Sequence, residues 1–194
     1  MPGDGHCFYH SLLYALREIG LVQAQPESSN AQVVAFSVAD VNEVKRHLLA
    51  SLRPCLETSS GAGRLALEKA LEGEEDGSAP LMERLTRDSS ESCGLRHFAT
   101  DAEIMLAAFA YDVCICVHTE LGIVTYLPDL TAGAGRPREC AGARVLHLRH
   151  RLDHFSALLE DTSSSSRRVV KRAASWPPSS KLPLLYKFLC GAAC

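Results

Sequence analysis

The order of hydrophobic periods predicts an α+β chain. Apolar residues recur at helical spacing through much of residues 7–109, and short β-branched or alternating runs follow between 113 and 159. A capping box at Thr100-Asp-Ala-Glu103 marks the last helix before the period changes. The length of 194 residues suits about one domain, and 46% apolar with 22% charged residues is ordinary globular composition. A chain this long buries a sizeable core without metals or disulfides.

From Cys7 to Ile19, apolar residues fall at Phe8, Leu12, Ala15, Leu16 and Ile19, which is one face of a helix. Asp4-Gly5 ahead of it offers a cap and a turn. A second helix is predicted over 41–52, with Val41, Val44, Leu48 and Leu52 in one stripe. Asp40 is its N-cap, and Glu43 sits in capping-box spacing. Residues 23–39 give no firm assignment. Turn chemistry at 57–63 and 73–79 brackets a short helix over 64–72. Pro80 opens another to about 87, at the first-turn position proline tolerates. After the box at 100–103, residues 104–109 are almost all apolar, so that helix belongs in the middle of the fold. Val113–Val117 has the β-branched, unbroken apolar character of a central strand. Residues 123–127 read as its neighbour, 145–149 as another strand and 154–159 as the last. Prolines and glycines make 128–143 a loop. No internal repeat is visible. The body is therefore 1–161. Residues 162–194, with four serines at 163–166 and Pro177-Pro178-Ser179-Ser180, read as a linker or disordered tail.

Charge divides along the same boundary. The tail holds six basic side chains and no acid. The body keeps 14 basic against 23 acidic side chains, a net charge of −9. An acidic body argues against nucleic acid as a partner, because phosphate binding needs a basic face. It suits a partner with a basic surface. The basic stretch at 167–172 reads as a solvated tail, with a nuclear address as the alternative. No apolar run reaches the ~18 residues of a membrane span. No secretory leader is readable at Met1-Pro2-Gly3-Asp4, so a cytoplasmic setting is expected. The cysteines at 7, 55, 93, 114, 116, 140, 190 and 194 are accordingly expected to be reduced thiols. Cys114 and Cys116 fall on one face of a strand and read as core packing. Oligomeric state is not readable.

Cys7 is placed to be a nucleophile. A thiol attacks as thiolate. The free N–H groups and dipole of a helix start favour that charge. Gly5 lets the backbone turn so that successive N–H groups point at a developing oxyanion. The base must come from a distant segment, and His154 follows Cys7 by 147 residues at the start of a strand. Asp4, Asp153 and Ser156 are candidates to orient its ring. His10 lacks a nearby second ligand, so no metal is expected. His6 is expected to be solvent-exposed. His47, His97, His118, His147 and His150 have no readable role.

The string Asp4-Gly5-His6-Cys7-Phe8-Tyr9-His10-Ser11-Leu12 resembles the Asp-Gly-x-Cys block of the ovarian-tumour (OTU) family of cysteine peptidases. Thr100-Asp-Ala-Glu-Ile104 with the helix and strand after it looks like the family's middle block. Leu152-Asp-His-Phe-Ser-Ala-Leu158 looks like its terminal block. The three blocks keep their order across residues 4–159. The resemblance implies a papain-like fold, a small central sheet packed between helices. It also implies hydrolysis of (iso)peptide bonds at the C-terminus of ubiquitin or a ubiquitin-like protein, with no cofactor. Carried onto this sequence, Cys7 is the nucleophile and His154 the general base. Asp4 braces the loop whose backbone at Gly5, His6 and Cys7 forms the oxyanion hole.

Two departures stand out. Many members carry Asp or Asn two residues after the His, where this chain has Ser156. Asp153 or Asp4 would then take over, or His154 would be less well fixed. The motif also begins three residues after Met1, whereas members usually have chain packed beneath the Cys helix. A missing upstream segment is the expected explanation. Two alternatives remain: a polyprotein-processing peptidase of viral or mobile-element type, and a non-catalytic ubiquitin-binding module.

Overall fold

The computed structural model describes residues 5–23, 36–37, 40–73, 77–91, 95–129, 134–135, 140, 144–152 and 154–159, and these form a mixed α/β architecture. The expected tail at 162–194, and Cys93, Cys190 and Cys194, lie outside the described residues.

Helix α1 (Cys7–Glu18) buries Phe8, Leu12, Ala15 and Leu16, the face its spacing predicts. The chain then contributes β1 (Val22–Gln23), which pairs in parallel with β2 (Phe36–Ser37) inside the stretch that gave no period. Helix α2 (Val41–Thr58) starts as predicted, with the Asp40 carboxylate accepting the Glu43 N–H at 2.9 Å. It runs six residues beyond the predicted end and passes through Pro54. Pro54 forfeits one helical hydrogen bond, but Cys55 continues the buried stripe of Val44, Leu48 and Leu52, and the Thr58 hydroxyl bonds back to the Pro54 carbonyl at 2.9 Å. Packing therefore overrides the proline, and the loop expected over 57–63 shrinks to 59–61.

Helix α3 (Ala62–Glu72) ends on Gly73 at φ +74°, a left-handed stop that glycine adopts freely. Helix α4 (Leu81–Thr86) has Pro80 as its N-cap, one place earlier than the predicted first-turn slot. A 3₁₀ turn (Leu95–His97) leads to α5 (Asp101–Ala110), where both halves of the Thr100/Glu103 capping box are made. Its residues 102–108 are all buried, as their composition requires.

Five strands complete the fold: β3 (Val113–Thr119), β4 (Gly122–Tyr126), β5 (Ala134–Gly135), β6 (Arg144–Arg151) and β7 (His154–Leu158), ordered β5-β4-β3-β6-β7. β3 and β6 are parallel, and the other neighbours are antiparallel. β5 falls in the segment expected to be loop. β6 is longer than predicted at both ends, so only residues 152 and 153 separate it from β7. Leu152 at φ +54° makes this tight reversal and pins the pairing of Arg151 with His154.

Alternation sorts the two faces. Ile115, Val117, Leu146, Leu148 and Phe155 join the main core with α1 and α5. The other face carries Cys114, Leu127, Cys140 and Val145 as a small separate cluster, then the polar His118, His147 and Arg149. Among the described residues, α1 and α5 pack with the sheet face that carries Ile115, Leu146 and Phe155. The sequence carries this division: Ile115, Val117, Leu146 and Leu148 alternate with Cys116, His118, His147 and Arg149. No described helix is long and apolar enough to cross a membrane.

One cysteine expectation is overturned. Cys114 is bonded to Cys140, at a Cα separation of 5.9 Å. The bond ties the connection between β4 and β6 to the central strand. Cys116, two residues on, is buried beside the Thr125 hydroxyl at 3.6 Å, and burial raises its thiol above the ordinary range.

A buried polar network links the helices. Arg84 and Glu103 are both fully buried and paired, with Arg84 Nη2 donating to Glu103 Oε2 at 2.9 Å. Arg84 also donates to the Ala79 carbonyl and to the Thr100 hydroxyl. Glu103 accepts further bonds from Thr100 and from the Tyr9 hydroxyl at 3.4 Å. Lys45 is buried over the Tyr9 ring and donates to the Arg87 carbonyl at 3.0 Å. Removing one partner strands a buried charge at a cost of about 3–5 kcal/mol. Glu103→Leu is expected to lower the urea midpoint accordingly, and Arg84→Met added to it restores much of the loss. Additive losses in the double variant would show that the pair is not coupled.

On the outer face His118 Nε2 and His147 Nδ1 lie 3.0 Å apart. Burial, and then the neighbouring His147, push the His118 imidazolium below its ordinary pKa. The folded state therefore refuses a proton that the unfolded chain accepts, and this contribution is full above about pH 6.5. It is lost as pH falls through the lowered folded value. The urea midpoint should drop between pH 7 and 5, and His118→Gln should flatten that dependence.

Candidate active site

Three consecutive residues of α1 decide where its first turn sits. Cys7 is the first helical residue, and its side chain is buried. The Phe8 ring meets the Phe155 ring of β7 edge-on, with centroids 5.4 Å apart. Phe155 in turn stacks on His150 of β6 at 4.4 Å. The Tyr9 hydroxyl reaches the Glu103 carboxylate of α5. The helix start is thus held to the sheet edge on one side and to the helical layer on the other.

That clamp brings the backbone at His154 and Phe155 to the Cys7 sulfur, while strand alternation puts the His154 side chain on the sheet face opposite the Phe155 ring. The Phe155 backbone N–H donates to Cys7 Sγ at 3.5 Å, across 148 positions of chain. His154 is the preceding residue, and peptide geometry keeps its Cα within about 6 Å of the sulfur. His154 is half-buried at the head of β7, opposite Arg151 of β6. The Arg151 guanidinium is balanced by Glu120 at 3.3 Å. Ser156 shares the face of His154 by strand alternation and lies opposite Arg149. Asp4 and Asp153 lie outside the described residues.

The backbone ahead of Cys7 is shaped for an anion. Gly5 has φ +80°, and His6, the N-cap, has φ −100° and ψ 9°. A left-handed residue followed by a right-handed one turns successive N–H groups inward into a concave nest. The N–H groups of Gly5, His6 and Cys7 belong to this turn, and the His6 side chain makes no cap bond to the helix.

His6 corrects the sequence reading. It is buried, not solvent-exposed, and its Nε2 lies 3.2 Å from the Glu91 carbonyl oxygen. A carbonyl only accepts, so Nε2 carries the proton. The side chain therefore anchors the turn to residues 85 positions away. Sequence reasoning missed this anchor, the Phe8–Phe155–His150 stack and the Phe155 donor. The aromatic residues after Cys7 and His154 were the only available signal for the stack. Among the described residues no three His, Cys, Asp or Glu side chains are grouped to hold a metal. No family model matches this chain, and no curated protein matches it.

The turn generates a prediction. A Cβ at φ +80° costs roughly 1–2 kcal/mol. Gly5→Ala should lower the unfolding free energy by that amount, read as a fall in the urea midpoint. An unchanged midpoint would show that residue 5 is free to leave the left-handed region.

Proposed function

We propose that this chain is an OTU-like cysteine peptidase of papain-like fold. It hydrolyses (iso)peptide bonds at the C-terminus of ubiquitin or a ubiquitin-like protein. The observation that carries the reading is the contact of the His154 strand with the Cys7 sulfur, given by the 3.5 Å hydrogen bond from Phe155. The ring contact of Phe8 with Phe155 holds the strand that carries His154 against the helix end that carries the thiol. The nest at Gly5–Cys7 supplies the third requirement of acyl transfer, donors for the oxyanion.

In this mechanism the Cys7 thiolate attacks the scissile carbonyl carbon, and the carbonyl oxygen takes the negative charge towards the nest. His154 delivers its proton to the leaving amine as the C–N bond breaks. A thioester remains on Cys7. His154 then takes a proton from water, whose oxygen attacks the thioester, and the thiolate leaves. Removing the nucleophile of such a unit costs as much as removing the whole unit, about 10⁶ in rate.

The rival is a non-catalytic ubiquitin-binding module, and Ser156 facing Arg149 favours it, since neither side chain is an acid that would hold an imidazolium. A ubiquitin probe with a C-terminal electrophile separates the two. The proposal expects covalent capture that is lost in Cys7→Ala and in His154→Ala. Cys7→Ala should still fold and still bind ubiquitin, without cleaving diubiquitin. Reversible binding without capture by the unaltered chain establishes the module instead.

A further inference from the structure

The donor on Cys7 comes from the strand backbone. β7 is the edge strand of the sheet, and its inner neighbour β6 faces Phe155 through His150. The Phe155 N–H that meets Cys7 Sγ at 3.5 Å therefore points off the sheet edge, not into the ladder. An unpaired edge N–H is normally left to water or to another strand. Here it is spent on a sulfur. The Phe155 side chain is buried between Phe8 and His150, so the peptide group has no freedom to turn away.

We infer that the Phe155 N–H is a built-in thiolate donor, which keeps Cys7 ionised by a route that does not pass through the His154 side chain. The inference rests on the reading of Cys7 as a nucleophile. A hydrogen bond donated to the charged form of a group favours that form, and a charge-assisted bond is about twice as strong as a neutral one. A neutral thiol is a weak acceptor, so this N–H gains most when Cys7 has lost its proton. Acylation removes that charge and with it most of the bond. The donor thus favours the free, attacking enzyme over the thioester. The helix start, of which Cys7 is the first residue, adds its own field. Two fixed sources then act on Cys7 whether or not His154 is protonated. The imidazole is left to move protons.

The test titrates the thiol. The full chain is alkylated with iodoacetamide across pH, and the Cys7 peptide is followed by mass spectrometry, so the other cysteines do not interfere. Replacing Phe155 by its α-hydroxy analogue turns the 154–155 amide into an ester, which removes the N–H and keeps the ring. The expected result is a rise of about one pH unit in the alkylation midpoint, tenfold less thiolate below it. A simpler pair makes the same comparison. Phe155→Pro lacks the N–H and Phe155→Ala keeps it, and the edge position costs the proline no ladder bond. The midpoint should be higher in the proline variant than in the alanine one. His154→Ala should keep a midpoint below the ordinary cysteine value of about 8.5. An unchanged midpoint in the ester chain overturns the inference. So does a His154→Ala midpoint at the ordinary value. Failure of ubiquitin capture with these shifts intact would remove the peptidase reading and leave the donor established.

Discussion

The seam between α1 and β7 is the contact on which the site depends. It joins residues 148 positions apart through one N–H···S bond and one aromatic stack. Both ends of the seam are chemically committed. Phe8 and Phe155 supply the apolar area that holds the elements together, and each is flanked by a residue of the proposed catalytic pair, Cys7 or His154. Packing and chemistry are thus interleaved along both strings. A change that loosens the rings also loosens the contact between the Phe155 N–H and the Cys7 sulfur. An effect on reactivity with little effect on overall stability is the signature of such an arrangement.

The buried Arg84–Glu103 pair looks costly beside an apolar alternative, because two charges leave water for one interaction. Its geometry explains why the cost is tolerated. Glu103 accepts from Arg84, from the Thr100 N–H and hydroxyl, and from Tyr9, so its lone pairs are fully used. Tyr9 belongs to the first turn of α1. The pair therefore fixes how α4, α5 and the Cys7 helix sit relative to one another. Apolar side chains of equal volume would allow several rotations of α1 about its axis. Directional bonds to Tyr9 select one.

How much of this was legible follows from which interactions are local. The α1 face, the Asp40 cap and the capping box at Thr100 are set by neighbours within four residues, and each appears where the sequence places it. The end predicted for α2 at residue 52 falls short because burial of Cys55, a tertiary gain, outweighs the hydrogen bond lost at Pro54. The Cys114–Cys140 bond was invisible for a related reason. Redox expectation rests on the expected compartment, whereas pairing depends on Cys140 lying against β3, 26 residues after Cys114. His6 was misjudged because its partner, the Glu91 carbonyl, carries no signal in the sequence. At the candidate site, the types and order of Cys7 and His154 could be read. The backbone donor at Phe155 could not, since an N–H is the same in every residue except proline.

That last point bears on Ser156. A neutral hydroxyl two residues after the histidine removes one conventional means of holding an imidazolium beside a thiolate. If the thiolate were maintained only by that ion pair, the substitution would cost ionised sulfur directly. Under the proposed donor role, a helix start and a fixed peptide N–H would place the stabilisation on the backbone instead, where side-chain replacement does not reach it. The thiolate population and the orientation of His154 then become separable quantities. Ser156 can weaken the second while leaving the first intact, which confines its effect to the proton-transfer steps and spares the readiness of Cys7 to react with an electrophile.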